Sequence, residues 1–243
     1  MGLFKKKKKY FRHPDFPVLG ETSYQKVLSA IESENNVEWY LEIGSRSGAS
    51  VARRNCSYIA VDPEFKIAAD VFNSAPNMIF CQQISDDFFK DDMLGKLNVR
   101  PDLTFIDGMH LFEFALRDFI NAEKAMGTDG AICVHDVCPF SYEMTTRDVS
   151  YLEKGLPWTG DVWKVIMVLL EMRPDLQIDV LNAHKTGLGC VRNLDSTSTV
   201  LQDNYDEIMD KFQNLELESI GAEGFYGLFE LRDAQAFINS LSS

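Results

Sequence analysis

The stretch that decides the fold is Trp39 to Pro63, WYLEIGSRSGASVARRNCSYIAVDP. Trp39 to Ile43 is apolar apart from Glu42, as expected of a strand buried on both faces of a parallel sheet. Gly44 and Gly48 then bracket Ser45, Arg46 and Ser47, which predicts a tight turn at the start of a helix with the backbone close to a ligand. On this reading the ligand is held largely by main chain. Tyr58 to Val61 is a second short apolar strand, and it ends in Asp62. A carboxylate there can accept hydrogen bonds from both hydroxyls of a ribose, so the unit suits a nucleoside.

Outward from this unit the pattern alternates. Ser23 to Glu34 fits a helix with Val27, Leu28 and Ile31 as its apolar stripe. Ile79 to Ile84 reads as a third strand, Asp86 to Leu97 as an amphipathic helix, and Pro101 to Asp107 as a fourth strand. Leu111 to Met126 places Phe112, Ala115, Leu116, Phe119 and Ile120 at three- and four-residue spacing, the signature of a helix with one buried face. Ala131 to Val134 is a fifth buried strand, closing in His135-Asp136. Ser141 to Gly160 reads as a mobile loop over a cleft, and Asp161 as the N-cap of a helix that Pro174 stops. Leu176 to Leu181 and Leu188 to Arg192 read as a hairpin at one sheet edge, and two helices fit Leu201 to Phe212 and Asp233 to Leu241. Strands alternating with helices predict an α/β fold, a doubly wound, mostly parallel Rossmann-like sheet with an antiparallel edge hairpin. The expected organisation is a basic tail over 1–20, one nucleoside-binding domain over 21–193, and a helical extension over 194–243 packed on the same domain.

Composition excludes several classes of function. The chain of 243 residues carries a formal charge of −13 although Lys5 to Lys9 and Arg12 lie in its first twelve residues without an acid. The remaining body is more acidic still and repels a phosphate backbone, which argues against nucleic acid as a partner. Five cysteines without CxxC spacing suit free thiols in a reducing, cytoplasmic setting. No run reaches the about eighteen apolar residues of a membrane span, and the basic start leads into aromatic residues and prolines, unlike a signal peptide. Lys5 to Lys9, flanked by Phe4, Tyr10 and Phe11, suit weak contact with an anionic membrane surface. A solvated tail is the alternative reading. Lys6 stands where a myristoylation signal has serine or threonine.

In an open α/β sheet the residues ending successive strands meet in one crevice. Here those ends are Gly44, Asp62, Ser85, Asp107 and Asp136. With them, the sequence resembles the class I S-adenosylmethionine-dependent methyltransferases. Glu42-Ile43-Gly44-Ser45-Arg46-Ser47-Gly48 is similar to the E-x-G-x-x-x-G form of their first motif, and Asp62 to their ribose-binding acid. Phe105 to His110, Ile132 to Val137 and Gly160 to Lys164 resemble a bacterial subgroup linked to sugar and secondary-metabolite modification; the resemblance spans Val37 to Arg192. Many of that subgroup have D-G-D-H where this chain has Asp107-Gly108-Met109-His110. Met109 therefore removes one carboxylate.

The resemblance implies S-adenosylmethionine as cofactor, with its carboxylate and amine near Glu42 and the turn Gly44 to Gly48. It also implies the ribose on Asp62 and the adenine bordered by Gln83, Ser85 and Asp86. Transfer to an oxygen of a small molecule or glycosyl intermediate needs a base or a metal beside the acceptor. Asp107, His110 and Asp136 are the catalytic candidates, with His110 as a neutral imidazole base or a structural histidine. Asp107 and Asp136 are also candidates for holding Mg²⁺. On strand alternation His135 points away from Asp136, so both enter the cleft only if the strand has ended there, and Asp136 is favoured. Arg46 suits a carboxylate of donor or acceptor, and Trp163 and Lys164 suit either the acceptor wall or the core. Two other readings use this architecture: an NAD-linked oxidoreductase, which would need a middle glycine where the chain has Ser45-Arg46-Ser47, and a nucleoside-binding protein without catalysis.

Overall fold

The computed structural model describes residues 12–72 and 75–241; the Lys5 to Lys9 cluster lies outside the described residues. Helix α1 (Tyr24–Glu34) starts where the Ser23 side chain accepts the Lys26 N–H, and it buries Val27, Leu28 and Ile31. Burying each such side chain contributes about 1.5–3 kcal/mol. Strands β1 (Trp39–Ile43), β2 (Ser57–Val61), β3 (Met78–Cys81), β4 (Leu103–Ile106) and β5 (Ala131–His135) form the parallel part of the sheet. Between β3 and β4 lie α2 (Ser85–Lys90) and α3 (Met93–Leu97), and α4 (Phe112–Ala125) returns the chain to β5.

Beyond β5 come α5 (Ser150–Glu153), α6 (Trp163–Met172), β6 (Gln177–Leu181) and β7 (Leu188–Arg192). The chain ends through α7 (Val200–Asp203), α8 (Tyr205–Phe212), α9 (Leu217–Tyr226), β8 (Leu231–Arg232) and α10 (Ala234–Leu241). The sheet order is β3-β2-β1-β4-β5-β7-β6-β8, with β7 antiparallel to both β5 and β6. This mostly parallel, Rossmann-like sheet carries helices on both sides, as its alternating pattern predicts. It departs from the dinucleotide order 3-2-1-4-5-6 in the strand inserted between the fifth and sixth. Leu201, Ile208 and Phe212 share a buried cluster with Phe119, Ile132, Val134 and Leu169, so the C-terminal helices close the same core.

Local departures from the pattern have local causes. β3 stops at Cys81 because the Gln83 N–H turns back to the Cys81 carbonyl (3.1 Å). The expected helix over 86–97 is broken at Asp92, whose backbone is left-handed and whose side chain caps α3 by accepting the Gly95 N–H. The turn after β1 leads to a single 3-10 turn, Val51–Arg53, and not to a full helix. Asp161 does not cap α6: its Oδ1 accepts the Phe112 N–H (2.7 Å) and caps α4, far away in sequence. The antiparallel hairpin β6–β7 stands at the edge side of the sheet as expected, and the two-residue β8 adds a short parallel pairing outside β6. The segment 141–160 contains a 3-10 turn, Glu143–Thr145, and α5.

Candidate functional site

The carboxyl ends of β1, β2, β4 and β5 open into one cavity of about 670 Å³, within the range of ligand pockets. Glu42, Gly44, Ser45, Arg46, Ser47, Asp62, Gln83, Ser85, Asp107, His110 and Asp136 all line it. Gly48 does not. It sits behind the turn, where a Cβ would overlap Val71.

The turn after β1 is fixed by its own hydrogen bonds. The N–H groups of Gly44 and Ser45 donate to the Val61 carbonyl, that of Gly48 donates to Ser45 O, and that of Arg46 donates to Asp62 Oδ2 (2.9 Å). The main-chain donors of Gly44, Ser45, Arg46 and Gly48 are thus committed within the protein. Gly44 has φ +91, and a Cβ there would overlap the Asp107 carbonyl. Asp62 is buried, and its Oδ1 accepts the Glu64 N–H (2.8 Å). Each of its oxygens keeps a second lone pair toward the cavity. Arg46 is exposed at the rim.

Glu42 lies at the cavity floor, 2% exposed, and accepts the Tyr40 hydroxyl (2.7 Å). Burial pushes its carboxyl up to about 8, against that hydrogen bond and with help from Asp107. A raised carboxyl pKa means that the folded state keeps a proton the unfolded chain gives up above about 4.5. Its stabilising contribution is therefore present at low pH and is lost as pH rises from about 4.5 through about 8. Thermal stability across this window should fall less steeply for Glu42→Gln than for the native chain. Parallel curves would show that Glu42 is ionised throughout.

At the other end of the cavity four titratable side chains converge. His135 Nδ1 lies 3.1 Å from Asp107 Oδ1 and 3.6 Å from Asp136 Oδ1. His110 Nδ1 lies 3.1 Å from Asp136 Oδ2 and 2.9 Å from the Trp158 carbonyl, and its Nε2 is 3.5 Å from Asp107 Oδ1. Burial alone would lower His110, but the charges of Asp136 and Asp107 and the hydrogen bond to Asp107 outweigh it and raise it to about 9. His135 is raised in the same way, against burial, by Asp136 and Asp107. Burial would raise Asp107, yet His135 and His110 hold it well below the usual carboxylate range. The expectation of a neutral His110 near physiological pH is thereby corrected: the histidine between two carboxylates keeps its second proton.

Strand alternation points His135 away from the cleft, but the structure brings it in. The strand ends at His135, and Asp136 adopts a left-handed backbone (φ 61), which turns both side chains to the same side. Asp and Asn tolerate that conformation better than most residues. Tyr24, Phe114, Asp118 and Trp158 also line the cavity. Tyr24 comes from α1, its ring 4.2 Å from that of His135, and Trp158 stacks on His110 at 5.1 Å. Asp118 is 2% exposed on α4, and burial pushes it up to about 7 against a hydrogen bond from Ser85. The buried Gln83 Nε2 on the same wall has no hydrogen-bond partner. Trp163 and Lys164 lie outside the cavity, Trp163 in an aromatic cluster with Phe16 and Phe225, and Lys164 on Asp161.

Residues 41–137, which hold the whole strand-end set from Glu42 to Asp136, match the family model described as a methyltransferase domain. Over that stretch the chain is similar to methyltransferase domains. No curated protein sequence matches it. Among solved structures, this chain is similar to the O-methyltransferase from Bacillus cereus in complex with SAH, at 13% identity, 69% of this chain, 78% of that one and a TM-score of 0.49. It is similar also to the O-methyltransferase TomG from Streptomyces achromogenes, involved in tomaymycin synthesis, in complex with SAM (16%, 73% and 83%, TM-score 0.48). A putative caffeoyl-CoA O-methyltransferase from Staphylococcus aureus is a third (14%, 71% and 85%, TM-score 0.49).

Asp107, His110 and Asp136 each bring a ligand atom within 4.8 Å of the others. Two carboxylates and an imidazole fit a divalent ion, and the nitrogen donor favours a borderline ion over Mg²⁺, which prefers oxygen alone. All five cysteines are buried and free. Among the described residues no helix is long and apolar enough to cross a membrane.

Proposed function

We propose that this protein transfers a methyl group from S-adenosylmethionine to an oxygen of a small-molecule acceptor, such as a glycosyl intermediate, in a reducing cytoplasm. The observation that carries the choice of donor is the charge of the cavity wall. Seven carboxyl groups line it, those of Glu42, Asp62, Glu64, Asp86, Asp107, Asp118 and Asp136, against one arginine and two histidines; with Glu42 and Asp118 held partly neutral by burial and both histidines charged, acid still exceeds base. Such a wall attracts a sulfonium and an ammonium and repels the pyrophosphate of a dinucleotide. Glu42 then faces the amine of the donor, Asp62 the ribose hydroxyls, and Gln83 with Ser85 the adenine, where the free Gln83 Nε2–H donates to a ring nitrogen.

His110 is the base. Its Nδ1–H is held by the Trp158 carbonyl and Asp136, so Nε2 is the nitrogen that takes the acceptor proton. Asp107 and Asp136 flank it and balance its charge. The transferred methyl leaves as a neutral thioether forms, so the sulfonium charge beside the quartet disappears in the transfer. A divalent ion, where bound, would be held by Asp107, His110 and Asp136 and would supply Lewis acidity at the acceptor oxygen.

Calorimetry with S-adenosylmethionine, S-adenosylhomocysteine and NAD(H) tests the donor. Binding of both sulfur ligands without NAD(H) is expected, and tight NAD binding with neither sulfur ligand would replace this reading by the oxidoreductase. Methyl transfer measured with a chelator and with Mg²⁺, Mn²⁺ or Zn²⁺ restored separates the base from the ion. Activity untouched by the chelator is expected if His110 suffices, and activity regained only with a metal would move the proton transfer to the ion.

A further inference from the structure

The segment Gly160 to Lys164, singled out by its sequence, lies outside the cavity yet touches the backbone of its base. Trp158, Thr159, Gly160 and Asp161 run across residues 110–112. The His110 carbonyl accepts the Asp161 N–H (3.3 Å), and a Cβ on Gly160 would overlap that carbonyl oxygen. The Trp158 carbonyl accepts the His110 Nδ1–H (2.9 Å), and the two rings stack at an interplanar angle of 23°. Asp161 Oδ1 accepts the Phe112 N–H (2.7 Å), which fixes the first turn of α4 directly after His110 and Leu111.

The strap is itself tied down. Thr159 and Gly160 donate to the Met144 carbonyl at 3.0 and 3.1 Å, and Trp158 Nε1 donates to Thr146 O (2.6 Å). Asp161 Oδ2 accepts from Arg147 (2.6 Å) and Lys164 (2.8 Å), and Lys164 also donates to Gln213 O (2.8 Å). Arg147 is bidentate on Glu113. Asp161 is 2% exposed and Lys164 1%. A pair so buried is weak evidence of stabilisation, since desolvation offsets its attraction. What it does achieve is a fixed direction for Asp161 Oδ1, and so for the chain at His110.

We infer that Trp158 and Asp161 are positioning residues: the strap they anchor sets the orientation of His110, so that Nε2 faces the acceptor. This rests on His110 being the base. A base misplaced by about 1 Å loses up to about 100-fold in rate. The measurements are kcat, the donor Kd by calorimetry with S-adenosylhomocysteine, and thermal unfolding, for Trp158→Ala, Trp158→Phe, Asp161→Asn and His110→Ala in the full chain. Trp158→Ala is expected to lower kcat about 10- to 100-fold at unchanged donor Kd, and Trp158→Phe, which keeps a stacking ring, to recover most of it. Asp161→Asn retains an acceptor for the Phe112 N–H but loses the two cations, and is expected to lower kcat at constant Kd. The double change Asp161→Asn with Lys164→Met removes both buried charges together and serves if the single variant does not fold. Full activity of Trp158→Ala and Asp161→Asn beside an inactive His110→Ala would overturn the inference alone. A donor Kd that weakens in step with kcat would do the same. Full activity of His110→Ala would instead overturn the base, and the inference with it.

Discussion

Replacing His110 with alanine is expected to lower turnover by about 10²- to 10⁴-fold, the usual contribution of a positioned base, with the donor Kd unchanged. The reason is spatial. His110 lies at the end of the cavity formed by β4 and β5, whereas the turn and Asp62 lie over β1 and β2. The pH dependence gives a second measurement. With the His110 pKa raised to about 9, the neutral imidazole is a minor form at neutrality, so kcat/KM should climb from neutrality, reach half its plateau near 9 and level off above it. The limb in kcat should lie lower, because the sulfonium of the bound donor disfavours a second cation beside it. A flat profile from pH 7 to 10 together with full turnover of His110→Ala would leave proximity as the main source of rate.

Gly44→Ala is expected to abolish donor binding and to destabilise the fold. Its φ of +91 costs an alanine about 1–3 kcal/mol, and the new Cβ would also overlap the Asp107 carbonyl and the Gly108 Cα. β1 and β4 can relieve that overlap only by moving apart, which displaces Asp107 from His135 and the turn from Asp62. Gly155→Ala is the control, since Gly155 also has positive φ but an added methyl there would meet nothing within 4 Å. The expected result is a drop in melting temperature for both and loss of S-adenosylhomocysteine binding for Gly44→Ala alone. Normal binding by Gly44→Ala would mean that the close approach of turn to β4 is unrelated to the donor.

Much of the sheet was legible because its signals are local. A strand buried on both faces must be apolar throughout, as Trp39–Ile43, Ser57–Val61, Leu103–Ile106 and Ala131–His135 largely are. The ends of those strands share a crevice by topology alone, so their glycine and acids could be gathered before any coordinates. Asp161 was less legible. An aspartate ahead of an apolar run is a good N-cap in sequence, but its carboxyl serves α4, whose start is brought beside it only by the fold. The two-residue β8 is too short to carry a period of its own, and only pairing with β6 defines it. Tyr24, Asp118 and Trp158 carry no motif, and each reaches the cavity from a different element.

The sequence by itself determined the order of the central strands and the main helices between them, the glycine turn, and which acids and histidines end the strands, because periodicity and backbone conformation are properties of neighbouring residues. Tertiary structure decided how those groups act. The left-handed backbone at Asp136 joined His135 to the site, burial raised Glu42, and paired carboxylates outweighed burial to raise His110. Charge state and direction depend on distances between segments far apart in the chain, and those exist only once the sheet has closed.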